Sequence, residues 1–194
     1  MPAFPFAGRA RELELLAALL PRASGEGRRA ALVAGEPGSG KSRLVRELAG
    51  RAAQDGALVL YGACDAVVQA PYGPFVEALG HLSRTVPADE LAALLGSGAG
   101  ELGRLLPELG RIVGPLPDPP AADPDTERHR LHTAVAELLT AVTRRRPLLL
   151  VLEDLHWAET STLFLLRHLV RAATDARMLL VVTYRDIEAD LRSD

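Results

Sequence analysis

Short runs that are apolar at every position alternate along this chain with longer stretches that are apolar only at helical spacing. AALVAG (30–35), ALVLYGA (57–63), RRPLLLVLED (145–154) and RMLLVVTYRD (177–186) are of the first kind, the pattern of parallel strands buried on both faces. ARELELLAALL (10–20), KSRLVRELAGRAA (41–53) and TSTLFLLRHLVRAA (160–173) are of the second kind and predict helices. Pro21 is expected to close the first of them, and Leu44, Val45 and Leu48 to face inward on the second. From Gly73 to Arg146 helical spacing recurs over 74–85, 88–95, 100–109 and 126–145. It is broken by GPLPDPPAADPD (114–125), whose prolines exclude both helix and central strand. Strands alternating with helices call for an α/β sheet. The expectation is one domain over residues 1–194, with a mostly helical insertion at 64–146 between the second and third strands.

Charge and composition narrow the setting. A net charge of −3 gives this segment no basic surface for nucleic acid. The single cysteine, Cys64, excludes an internal disulfide, fits a reducing compartment, and reads as a small buried residue. MPAFPFAGRARE carries charge where a signal peptide needs an apolar core. No apolar run approaches the roughly 20 residues of a membrane span. A cytoplasmic protein with no membrane contact is expected.

Chemistry enters at the first strand–helix junction. Gly35-Glu36-Pro37-Gly38-Ser39-Gly40-Lys41-Ser42 matches G-x-x-x-x-G-K-[ST] at every fixed position, after a predicted strand and opening a predicted helix. Glycines let the backbone curl until its N–H groups face an anion, and the helix N-terminus adds partial positive charge. Lys41 is then placed for the β- and γ-phosphates of ATP or ADP, and the Ser42 hydroxyl for Mg²⁺. A phosphate-binding loop also needs carboxylates for its metal and water, and the third strand ends in two, Glu153 and Asp154. Side chains alternate along a strand, so the two acids point to opposite sides and divide the work. One serves Mg²⁺, directly or through water, and the other orients the attacking water. Arg185 follows the last apolar run, either to reach the γ-phosphate or to pair with Asp186 on the surface.

Several segments taken together are more specific than the loop. Phe6-Ala7-Gly8-Arg9 with Glu12-Leu13 is similar to an F-x-G-R-x-x-E-L segment, and Lys41-Ser42-Arg43-Leu44 continues the phosphate loop in a familiar way. Asp154-Leu155-His156-Trp157-Ala158 resembles a D-L-H-W-A-D signature, Thr183-Tyr184-Arg185-Asp186 ends the next strand, and Pro71-Tyr72 with Pro74 resembles a recurring segment. These residues resemble the nucleotide-binding domain of the signal-transduction ATPases with numerous domains (STAND), within the AAA-like P-loop group. The closest likeness is to the ATPase module of large LuxR-type transcriptional regulators.

The resemblance implies a three-layer P-loop NTPase with a parallel sheet of order 5-1-4-3-2. It also implies a nucleotide-sensing role for Arg185 and places Gly8 and Arg9 near adenine and ribose. By alignment Glu153 takes the magnesium position and Asp154 the water-orienting position. Where the family has two aspartates, this chain has Glu then Asp. Asp154 reaches less far than the Glu of fast AAA-type motors, so slow hydrolysis suited to a switch is expected. The fifth strand, a helical lid, and sensor and DNA-binding domains are expected beyond Asp194, which would leave the first strand an unprotected edge. Nucleotide-dependent self-association is a further expectation. A nucleotide-binding scaffold without hydrolysis and a P-loop small-molecule kinase stay open as alternatives.

Other polar features receive blander readings. His129 and His132, three apart on one helix, read as part of a solvated face. Arg144-Arg145-Arg146 ends a helix, where cations complement the dipole. His156 reads as making a structural hydrogen bond, and Trp157 as packing.

Overall fold

A computed structural model describes residues 8–186. Four strands, β1 (Arg29–Ala34), β2 (Leu58–Ala63), β3 (Leu148–Glu153) and β4 (Met178–Tyr184), form one parallel sheet. Their order is β1-β4-β3-β2, so the last strand lies between the phosphate-loop strand and the acidic strand. It is, for the described residues, the 1-4-3-2 part of the expected P-loop order. Among the described residues nothing pairs with the free side of β1, and Leu32 on it is 70% exposed.

The sheet is covered on both faces, as its unbroken apolar runs require. Leu149 and Val151 of β3 and Leu179 and Val181 of β4 face α1 (Ala10–Ala17), α2 (Leu19–Glu26) and α3 (Lys41–Gln54). Leu148, Leu150 and Leu152 with Met178, Leu180 and Val182 face the opposite layer. That layer contains α4 (Gly73–Thr85), α5 (Ala88–Leu95), α6 (Ala99–Leu105), α7 (Leu109–Val113), α8 (Pro124–Thr143) and α9 (Thr160–Ala172). All of these but α9 lie between β2 and β3, so that stretch is helical.

Prolines account for the boundaries that differ from expectation. Pro21 does not end a helix. The break falls at Ala18, and Pro21 sits third in α2, where its missing N–H would have had no partner within the helix. The expected 100–109 helix is two helices, because Pro107 pushes Leu106 to φ −132° and ψ 81°. Pro124 opens α8 rather than breaking it, and the Asp123 carboxylate accepts from the N–H groups of Asp125 and Thr126 at 3.1 and 3.0 Å.

One contact fixes the spacing between β2 and α4. A Cβ at Gly62 would lie 1.8 Å from the carbonyl oxygen of Pro74 and 2.6 Å from its carbon. Backbone cannot yield as a flexible side chain does, so Gly62→Ala is expected to destabilise the domain by about 1–3 kcal/mol. A thermal melt checks this, with a fall in Tm on the order of 2–4 °C for each kcal/mol. An unchanged Tm would mean that α4 does not seat on β2 in this way.

Candidate functional site

In a parallel sheet every strand ends on the same edge, which is where α/β proteins bind ligands. Here β1 delivers Gly35, β4 delivers Arg185, and β3 delivers Glu153 and Asp154 to that edge. Ala34 is in register with Tyr184, and Leu152 with Val182, so the three strands finish at matching levels. The phosphate loop and the acids are therefore two strand spacings apart, about 10 Å, with Arg185 between them.

The loop has the backbone its sequence predicts. Gly38 and Gly40 adopt φ of +76° and +85°, values that L side chains resist, and Gly40 directly precedes α3. Lys41 is 8% exposed, and its Nζ donates to the carbonyls of Gly35 at 2.7 Å and Glu36 at 2.9 Å. Two of its three protons thus clamp the ammonium over the loop. Ser39 Oγ is buried without a hydrogen-bond partner. Ser42 is the second residue of α3 and half-buried, while Arg43 is exposed.

Glu153 and Asp154 differ sharply. Glu153 continues the Leu149–Val151 side of β3 toward α3 and is 4% exposed. Its Oε2 accepts from the Tyr61 hydroxyl on β2, while its Oε1 is buried and unpartnered. Burial, then this hydrogen bond and the Glu153 charge, push the Tyr61 phenol well above its ordinary range. Asp154 leaves the strand in a left-handed turn, φ +54°, which Asp tolerates better than most residues. Its N–H donates to Thr183 Oγ1 of β4 at 3.0 Å, so the turn is tied to the sheet. It is half-buried.

Asp154 leads a short 3₁₀ turn, Leu155–Trp157, that brings His156 to the edge. Burial lowers the His156 pKa most; the Asp154 charge raises it, and Arg185 and Lys41 lower it further. Four groups from three segments therefore share one field. Both ring nitrogens of His156 are buried without a partner, so the expected structural hydrogen bond is not made. The Arg185 guanidinium lies 5.7 Å from the centroid of Trp157, cation over ring. Burial, and secondarily Asp154, push the Cys64 thiol up to about 11, which keeps it protonated at neutral pH.

Among known families, the one described as AAA ATPase domain matches residues 5–182. The chain belongs to it. An AAA ATPase domain implies a bound nucleotide. A curated relative, Uncharacterized protein R02095 of Rhizobium meliloti (strain 1021), is 29% identical over 174 residues, covering 79% of this chain and 16% of that protein. Among solved structures, one of Drosophila ORC bound to DNA superposes with a TM-score of 0.45 at 15% identity, covering 96% of this chain and 85% of that one. One of Drosophila ORC bound to AT-rich DNA and Cdc6 gives 0.43 at 15%, covering 94% and 50%.

The residues of this AAA domain suit a nucleotide and its metal. A buried carboxylate oxygen with no partner is costly unless something meets it, and Glu153 Oε1 is such an atom. Hard oxygen donors of the Ser42 and Glu153 kind are what Mg²⁺ takes. Of the expected adenine and ribose segment, Gly8 is exposed at φ +93°, and Arg9 precedes α1 with no side-chain capping bond. Phe6 and Ala7 of the same segment lie outside the described residues. Tyr61 is the residue that the sequence did not single out. No helix among the described residues is long and apolar enough to cross a membrane.

Proposed function

We propose that this domain binds Mg-ATP at the sheet edge and hydrolyses it slowly, as a nucleotide-dependent switch within a larger LuxR-type transcriptional regulator of the STAND group. The observation that carries the reading is the shared field of Lys41, Asp154, His156 and Arg185 at one sheet edge, beside the buried free oxygen of Glu153. Lys41, already clamped over the loop, neutralises the β- and γ-phosphates. The backbone of Gly35, Glu36, Pro37, Gly38, Ser39 and Gly40 wraps them. Asp154, held by its Thr183 bond, orients the attacking water and takes its proton. Arg185, braced on Trp157, stabilises charge on the γ-phosphate. Ser42 and Glu153 would hold Mg²⁺, which would supply charge neutralisation to the phosphates when bound.

Slowness follows from the short reach of Asp154 in a turn that fixes its backbone. The Asp154-Leu155-His156-Trp157-Ala158 run supports the regulator assignment, and the 16% share of the matched rhizobial protein that this chain covers fits a module within a larger protein. In such a regulator the nucleotide state is read by lid, sensor and DNA-binding domains, and through self-association. ATP and ADP must bind two conformations differently for that to occur. Calorimetry with Mg-ATP and a phosphate-release assay test this together. Binding with turnover far below the ~10 per second of ordinary enzymes is expected. Turnover at that rate sinks the switch, binding with none at all leaves a scaffold, and no binding removes the proposal entirely.

A further inference from the structure

A second cluster of cations lines a cleft of about 330 Å³ between α8 and α9 that includes no residue of the phosphate loop or of the acidic strand end. It is lined by Arg128 and His132 of α8 and by Phe164, Arg167, His168 and Arg171 of α9. Among the described residues no carboxylate lines it. Arg128 pairs with the exposed Asp125 at 2.8 Å, whereas Arg167 and Arg171 have no ion-pair partner among the described residues. Gathering three guanidiniums around one hollow costs Coulomb energy that a fold with no use for them would relieve with an acid.

The imidazoles sharpen the case. His132 does not lie on a solvated face, as the i, i+3 spacing with His129 suggested; it is only 5% exposed. Its Nε2 meets the Tyr72 hydroxyl at 3.3 Å, and its ring lies 5.6 Å from that of His168, which is 5.5 Å from His129. His168 Nε2 is buried without a partner. Burial first, then the neighbouring His168, Arg128 and His129, lower the His132 pKa to about 4, and burial, then His129, lower that of His168, so each ring is neutral at pH 7 with one N–H donor and one acceptor nitrogen. One unpartnered ring nitrogen and two unpaired guanidinium forks surround a space large enough for a small ligand.

We propose that the α8–α9 cleft binds a phosphate dianion, carried by a small phosphorylated molecule or by a phosphorylated side chain. Phosphate fits better than a single carboxylate. Its three outer oxygens can each take a guanidinium fork, whereas a carboxylate has two. Phe164, 45% exposed at the rim with Arg167 6.0 Å from its ring, offers an apolar shelf for the rest of the ligand.

The site is independent of the nucleotide reading, and the test keeps them apart. Inorganic phosphate, pyrophosphate and a phosphoserine peptide are titrated into the full chain by calorimetry, for wild type, Arg167→Ala/Arg171→Ala and Lys41→Ala. Imidazole ¹⁵N shifts are followed in parallel. Binding is expected to weaken at least about tenfold per guanidinium removed, and to persist in Lys41→Ala. The His168 and His132 resonances should move on titration in the wild type. Preference for the peptide over pyrophosphate assigns a side-chain source, and the reverse a small molecule. Either result supports the site. Wild-type affinity in the double arginine variant, or loss confined to Lys41→Ala with unmoved imidazoles, overturns it. Arg167 and Arg171 are both exposed at the cleft rim, so the double variant should fold, and its melt is checked against wild type.

Discussion

Lys41→Ala is expected to weaken Mg-ATP binding by about 10- to 150-fold while leaving the fold intact. Lys41 is 8% exposed and its ammonium is held by two carbonyls of its own loop, so it is fixed in place before ligand arrives. A hydrogen bond to a charged group contributes about 1.5–3 kcal/mol, and each 1.4 kcal/mol is about tenfold in affinity. The loop backbone and the helix N-terminus keep their own share, so binding should fall steeply without vanishing. Lys41→Met, which keeps the aliphatic stem and removes only the charge, should lose nearly as much. Nucleotide titration by calorimetry or with a fluorescent analogue measures both. A wild-type dissociation constant in either variant would mean that the loop does not grip phosphates in the proposed way.

What the sequence could reveal depended on how local each feature is. The phosphate loop is eight consecutive residues whose glycines and lysine act through backbone they themselves shape, so it was readable directly. Strand alternation, from which opposed directions of Glu153 and Asp154 were expected, stops at Glu153, and Asp154 is set by a left-handed turn instead. The Tyr61–Glu153 bond joins residues 92 apart. It exists because Ala63 and Glu153 happen to be in register across two parallel strands, placing Tyr61 on the same face two residues back. No local pattern encodes that register. The burial of His132 was hidden similarly, since α8 looks solvated there until α9 is laid against it. Pro21 and Pro107 show the opposite failing: the local signal was present, but its effect turned on where each proline fell within a turn.

The two acids should separate in their effects. Asp154→Asn is expected to keep Mg-ATP affinity and cut phosphate release by about 10²–10⁴, the usual range for removing a general base. Glu153→Gln is expected to act on metal instead, raising the Mg²⁺ concentration needed for half-maximal binding while metal-free nucleotide affinity stays near wild type. The amide of that variant retains an oxygen that can accept from Tyr61, so packing is conserved and only the charge is lost. Tyr61→Phe completes the comparison. The phenol now occupies Oε2 and leaves Oε1 alone to face a ligand. Without it both oxygens are free, the carboxylate is less fixed, and stability should fall by about 1 kcal/mol. Its metal requirement should shift in the same sense as that of Glu153→Gln but by less, because a positioning contact is lost rather than a ligand charge. Titration of Mg²⁺ or Mn²⁺ at fixed nucleotide reads these shifts without turnover. Should Asp154→Asn raise the metal requirement while Glu153→Gln only slows hydrolysis, the roles are exchanged. The Glu-then-Asp order would then have moved the metal ligand to the turn and left the buried glutamate to the water.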